Sequence, residues 1–185
     1  DFFFRKVHYD QDDIQCITPG DFLDSGLPIQ VQQPTASSWG ENGYYKVWIN
    51  EGNSWMYPYQ HDAERRMTSM SNAFTRDLSV EERSEDITPE GVTHTRILNQ
   101  MARELLLAQS SDWAFQIYQG TTVQYSSRRF QMHIQRFNML ADMLSEPGAI
   151  ATGLLSTEQL DLLTEIESRD NIFAEIDWRA YRTDE

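Results

Sequence analysis

Cysteine is nearly absent from this chain: one residue, Cys16, in 185. It cannot close an intrachain disulfide, and nothing around it has metal-ligand spacing, so neither a disulfide scaffold nor a zinc site is available to hold the fold. A reducing, cytoplasmic setting is the expected location. Long hydrophobic runs are missing too. No apolar stretch approaches the length of a membrane span, and no basic-then-apolar segment opens the chain, so no membrane partner is expected. Positive charge is scarce: 15 Lys and Arg stand against 29 Asp and Glu, a formal charge of -14. That balance excludes nucleic acid and anionic membrane surfaces as partners. His8, His61, His94 and His133 include no pair at metal-binding spacing, and no Ser–His–Asp arrangement stands out, so neither metal nor cofactor is expected. No internal repeat is visible. The chain opens without an initiator Met, on Asp1-Phe2-Phe3-Phe4-Arg5-Lys6-Val7, and reads as a helix entered midway; the expectation is a piece of a longer protein.

Aromatic residues, by contrast, reach 12% in so polar a chain. Many of them belong to a core, but an uncharged carbohydrate is a ligand that uses aromatic faces without needing cations. The densest cluster is Ser37-Ser38-Trp39-Gly40-Glu41-Asn42-Gly43-Tyr44-Tyr45-Lys46-Val47-Trp48. It lacks helical periodicity and is punctuated by glycine, so flat rings are carried on a loop.

At 185 residues the chain can bury about 70% of its unfolded surface, enough for one sizeable domain or a domain plus a fragment. The N-terminal part predicts a helix tail over Phe2 to Tyr9, a short strand over Ile14 to Ile17, and a helix start at Thr18-Pro19-Gly20-Asp21 with Thr18 as N-cap and Pro19 at the first helical position. That helix–strand–helix order resembles the last unit of an α/β barrel. Gly26 to Ala36, polar and broken by Pro28 and Pro34, marks a domain junction. Beyond it, Tyr59, Ala63, Met67, Met70 and Phe74 form one amphipathic stripe. Thr75 to Asp86 is acidic and aperiodic and predicts a solvated loop. Thr88 and Pro89 cap a second helix, with Leu98, Met101, Ala102, Leu105 and Leu106 inward. Ser111 caps a short helix that stops at Gly120; a third long helix follows with Phe130, Ile134, Phe137, Ala141 and Leu144 on one stripe, ending at Glu146-Pro147-Gly148. Ser156 and Gln159 have capping-box spacing, opening a helix with Leu160, Leu163 and Ile166 inward. The tail, Asn171 to Tyr181, mixes acids with Ile172, Phe173, Ile176, Trp178 and Tyr181 and should pack against something. The fold class expected is mainly α: a helical bundle preceded by the last helix/strand piece of an α/β barrel. The domain reading is 1–35 barrel remnant and linker, 36–152 helical bundle with the aromatic loop, and 153–185 C-terminal helix and tail.

Three ordered blocks carry a resemblance: the aromatic stretch above, Glu104-Leu105-Leu106-Leu107-Ala108-Gln109-Ser110-Ser111-Asp112-Trp113, and Tyr125-Ser126-Ser127-Arg128-Arg129-Phe130-Gln131-Met132-His133. Together they resemble the C-terminal helical domain of the 1,4-α-glucan branching enzymes of glycoside hydrolase family 57, over about residues 37–144. The resemblance implies an enzyme of glycogen or α-glucan metabolism that cleaves an α-1,4 linkage and forms an α-1,6 branch. Its partners would be the α-glucan and a catalytic barrel on the same polypeptide. The reacting carboxylate pair, about 5 Å apart in retaining enzymes, would sit on barrel strands; no segment here matches either one, so this chain by itself is expected to be inactive. Alternatives are a sibling 4-α-glucanotransferase or amylase, and a non-enzymatic carbohydrate-binding or protein-interaction module.

Each candidate residue has a plainer reading beside the functional one. Trp39 and Trp48, nine residues apart, either stack on sugar in the substrate cleft, as the resemblance implies, with Glu41 and Asn42 as polar neighbours, or pack between domains. Trp55 reads as packing at a helix mouth. Asp112 is explained by an N-terminal helix position alone; the resemblance places Asp112 and Trp113, with Gln109 as a weaker companion, beside the substrate. Tyr125, Arg129 and His133 share one helix face, either as a polar cluster or as an ordinary hydrogen-bonded face.

Overall fold

Helix is the only regular structure among the residues that the computed structural model describes, 1–77, 89–145 and 155–183. The expected cap at Thr88, most of the acidic stretch Thr75 to Asp86, and the Glu146-Pro147-Gly148 stop lie outside them. The chain divides into two compact units, residues 1–37 and 38–185.

The first unit holds α1 (Phe2–Tyr9) and α2 (Pro19–Asp24). The start of α2 is set locally. Asp21 N–H donates to Thr18 Oγ1 at 3.2 Å, while Thr18 N–H donates to Asp21 Oδ2 at 3.0 Å. These bonds satisfy two otherwise orphaned donors and hold the Asp21 carboxyl below its ordinary pKa. The strand expected over Ile14 to Ile17 does not form. A strand exists only through a ladder to a neighbour, and no strand is present among the described residues to pair with it.

The second unit is a bundle of α3 (Met56–Asp77), α4 (Pro89–Ala108), α5 (Ser111–Gln119), α6 (Val123–Ser145) and α7 (Thr157–Ser168). Helix α4 is its axis. Ile97, Leu98, Met101, Ala102 and Leu105 are wholly buried, and so are the polar Gln100 and Glu104. A helix buried on nearly all sides lies in the middle of a bundle. Against it pack α6, through Phe130, Phe137, Leu140, Ala141 and Leu144, and α3, through Ala63, Met67 and Phe74. Each of the leucine, methionine and phenylalanine side chains among them contributes about 1.5–3 kcal/mol on burial.

Three stripe residues end up outside. Leu106 and Leu160 are each 37% exposed and Tyr59 is 58% exposed. The reason is angular: steps of three or four residues drift by about 60° or 40° from a full turn, so a residue at either end of a stripe, as all three are, lies at its edge. Helix α5 begins one residue before the expected position, with Ser110 as N-cap. It ends at Gly120, where φ of 72° and N–H bonds to the Gln116 and Ile117 carbonyls make a left-handed cap that glycine adopts without penalty. Helix α7 opens with the expected Ser156/Gln159 capping box.

The tail crosses α3 and α4. Trp178 is buried; its backbone N–H donates to Asn99 Oδ1 at 2.9 Å and its carbonyl accepts from Ser71 Oγ. Among the described residues no helix is long and apolar enough to cross a membrane.

Candidate functional site: an aromatic platform on a pinned loop

Residues 38–48 form two short 3-10 turns, Glu41–Gly43 and Tyr45–Val47. Ser38 folds the loop back on itself: its N–H donates to the Gly43 carbonyl at 2.8 Å and its hydroxyl to the Tyr44 carbonyl at 2.5 Å. The approach is close at Gly40, where an added Cβ would sit 2.6 Å from the Tyr44 carbonyl oxygen and 3.2 Å from Val47 Cγ2. Gly40→Ala is therefore expected to cost about 1–3 kcal/mol, because backbone must move to accept it. Thermal melting with near-ultraviolet circular dichroism checks this, since a displaced loop also changes the tryptophan signal.

The loop is anchored from below. Buried Asn53 donates from Nδ2 to the Val47 carbonyl at 2.9 Å and to the Ala114 carbonyl of α5 at 3.2 Å. The Tyr57 hydroxyl donates to the Trp48 carbonyl at 2.6 Å, and that of Tyr118, on α5, to Glu41 Oε2 at 2.5 Å. The Glu41 carboxylate raises the Tyr118 pKa and so keeps the donor protonated.

On this frame Trp39 and Trp48 stack, with ring centroids 6.4 Å apart and planes at 26°. A third ring, Phe115 of α5, lies 5.8 Å from Trp39 and 6.2 Å from Trp48. These spacings are those of interacting aromatic pairs. Trp39 is 83% exposed, so the platform offers an indole face to solvent. Such a face takes the C–H surface of a pyranose ring, while nearby polar groups take its hydroxyls.

The other candidates divide. Asp112 is exposed in the first turn of α5, one turn before Phe115, and accepts from Ser110 Oγ at 2.9 Å. Gln109 is half-buried and donates from Nε2 to Glu64 Oε1 at 2.8 Å. Trp113 is in the core, 9% exposed. Its indole N–H donates to the Leu107 carbonyl at 2.7 Å; His133 stacks on it at 6.4 Å, Arg129 lies over it at 5.9 Å, and Tyr125 meets it edge-on. The face shared by Tyr125, Arg129 and His133 is thus a structural, hydrogen-bonded cradle for Trp113.

From that cradle Arg129 and His133 enter a charged network whose other members, Gln100, Glu104, Arg136 and Asp170, polarity in the sequence did not single out. The Arg129 guanidinium donates to His133 Nε2 at 3.2 Å; as it can only donate, Nε2 accepts and His133 Nδ1–H is the donor to Glu104 Oε2 at 2.6 Å. Gln100 Nε2 donates to the other Glu104 oxygen at 2.9 Å, and Arg136 lies 3.9 Å from it. Asp170 joins Arg129 at 2.8 Å to Arg136 at 3.2 Å. Burial pushes the Asp170 carboxyl up, but the hydrogen bond and charge of Arg129, with the hydrogen bond from Arg136, outweigh it and hold the group below its ordinary value of 3.8. A carboxyl lowered by folding stabilises the fold fully above that ordinary value and loses its contribution as pH falls through the lower, folded-state value. The wild type should therefore lose melting temperature more steeply than Asp170→Asn between about pH 5 and pH 3. Parallel slopes would mean the pair is not formed in solution.

This architecture has relatives. The family model for the 1,4-alpha-glucan branching enzyme, C-terminal, matches residues 59–181. A 1,4-alpha-glucan branching enzyme of Thermococcus kodakarensis is 33% identical over 150 residues, 80% of this chain but 19% of that protein. Among solved structures, the GH57-type branching enzyme of Pyrococcus horikoshii superposes with a TM-score of 0.71 at 32% identity, covering 93% of this chain and 29% of its own. The Thermococcus kodakaraensis GH57 branching enzyme, solved with glucose and additives, gives 0.72 at 28% identity, covering 94% and 28%. The alpha-amylase AmyC of Thermotoga maritima gives 0.63 at 32%, covering 99% and 29%. The chain thus spans less than a third of the length of each of these relatives, and it belongs to the family of 1,4-alpha-glucan branching enzyme C-terminal domains.

Proposed function

We propose that this chain completes the substrate cleft of a 1,4-α-glucan branching enzyme, with Trp39 and Trp48 binding glucan by ring stacking. The observation that carries the reading is the exposed indole of Trp39, stacked on Trp48 and backed by Phe115, on a loop pinned from two sides. Asp112, one helical turn from Phe115, is the polar neighbour for sugar hydroxyls. Trp113 and Gln109 act one layer back: with its N–H committed and its faces covered, Trp113 sets the position of α5 and so of Asp112 and Phe115. The complete enzyme would cleave an α-1,4 linkage, hold a glucosyl-enzyme intermediate, and pass the chain to a 6-hydroxyl. Aromatic residues over the cleft position that acceptor and restrict water. Glycogen or α-glucan synthesis in the cytoplasm is the setting that fits this chemistry.

The amylase relationship supplies the second reading, since one solved relative is named an alpha-amylase at 32% identity. Product analysis separates them. The natural polypeptide carrying these residues is expected to build new α-1,6 linkages on amylose, whereas an amylase would release reducing ends and form no branches. Residues 1–185 alone should do neither.

A further inference from the structure

A second aromatic surface lies on the bundle, between α3 and α6. It is a groove of about 460 Å³ with Trp55 and Tyr59 on one side and a floor of Phe130 and Ile134. None of the three platform rings lines it. Trp55 is fixed there, its ring edge-on to Phe130 at 5.5 Å and its N–H donating to the Gly52 carbonyl at 3.0 Å. Tyr59 is 58% exposed. The opposite wall is a polar row: Gln131, Gln135, Asn138 and Asp142 of α6. Steps of four, three and four residues keep these groups on one helix face, over about 16 Å of axis. Arg66 of α3 closes the far end, donating to Asn138 Oδ1 at 3.2 Å and to Asp142 Oδ1 at 2.5 Å.

We propose that this groove is a second α-glucan-binding site, taking a short oligosaccharide segment rather than a single sugar. The proposal rests on the glucan reading above but on different residues. Its chemistry is that of a neutral, polyhydroxylated chain with apolar ring faces. Tyr59 and the floor receive the C–H faces, and the amides, which both donate and accept, match hydroxyls spaced along the chain. An anionic ligand is disfavoured, because Arg66 at the groove's end is already paired with Asp142 and the chain carries -14. An amphipathic helix would instead require an apolar wall where the amide row stands. Occupied, the site would hold a long glucan on the domain while a different stretch of chain reacts, raising the local concentration of substrate at the cleft.

Affinity electrophoresis of the full natural polypeptide in gels containing glycogen tests this, alongside turnover of a short maltooligosaccharide. Tyr59→Ala and Gln135→Ala are each expected to weaken retardation about fivefold while leaving turnover of the short substrate unchanged. Trp39→Ala should do the reverse, losing turnover and keeping most of its retardation. Both groove positions are exposed, so the variants fold, and melting temperature verifies it. Unchanged retardation in Tyr59→Ala and Gln135→Ala overturns the second site and leaves the cleft reading standing, the result also expected if another protein segment covers the groove. Retained turnover in Trp39→Ala overturns the cleft reading instead, whatever the groove variants do.

Discussion

Glu104→Ala is expected to destabilise the helical unit by about 3–5 kcal/mol, the usual cost of removing one partner from a buried charged pair. Glu104 is wholly buried and is the acceptor for His133 Nδ1–H and Gln100 Nε2, with Arg136 beside it. Truncation leaves those donors without an acceptor in a place water does not reach, and that penalty exceeds the net worth of the bonds themselves. A fall in melting temperature of roughly 10 °C corresponds to a loss of this size in a chain of this length. Glu104→Gln should fall between: its carbonyl still accepts from His133, but its amide then faces the Gln100 amide donor. Urea unfolding of the three proteins gives the ranking. If Glu104→Ala matched the wild type, the network would contribute nothing and α4 would be held by its apolar residues alone.

The second large effect falls on activity rather than stability. In the complete enzyme Trp39→Ala should leave stability within about 0.5 kcal/mol, since the side chain is 83% exposed and surface truncations rarely cost more. Branching should fall further than hydrolysis. About 1.4 kcal/mol of lost acceptor positioning changes the hydrolysis-to-transfer ratio tenfold. Trp48→Ala should move the ratio the same way with a larger stability loss, because Trp48 is half-buried and stacks on both Trp39 and Phe115. Reducing-end release and α-1,6 linkage formation, measured on one amylose preparation, give both rates. Equal loss of the two activities would assign these rings to donor binding, and a stability loss of about 3–5 kcal/mol with unchanged activity per folded molecule would make Trp39 a packing residue.

Local rules carried most of the helical architecture. The Thr18/Asp21 and Ser156/Gln159 boxes, the Gly120 stop, and the α6 stripe from Phe130 to Leu144 are all written in spacings of three and four residues. Those spacings act within a few turns of chain and need no distant partner. The Ile14 to Ile17 strand failed for the complementary reason: β-structure depends on a neighbour, and no local pattern supplies one.

The candidate site divides along the same line. Trp39 and Trp48 could be chosen from sequence because aromatic density on a glycine-punctuated loop is a local signal. That Phe115 completes their platform could not, because it stands 67 positions from Trp48 and long-range bonds, those of Asn53 and Tyr118, bring α5 under the loop. Trp113 is next to Asp112 in sequence but is turned inward, into the cradle of His133 and Arg129. Adjacent residues on a helix point about 100° apart, and only the packing of α5 against α6 decided which of the two would meet solvent. Glu104 shows the limit most directly. A glutamate beside two leucines reads as the polar edge of a helix, yet it became the buried hub of the bundle because His133, 29 residues on, and Gln100, one turn back, both reach it. Sequence determined where helices begin, end and present apolar faces; the tertiary structure decided which polar groups lie between those faces, since that depends on partners distant in the chain.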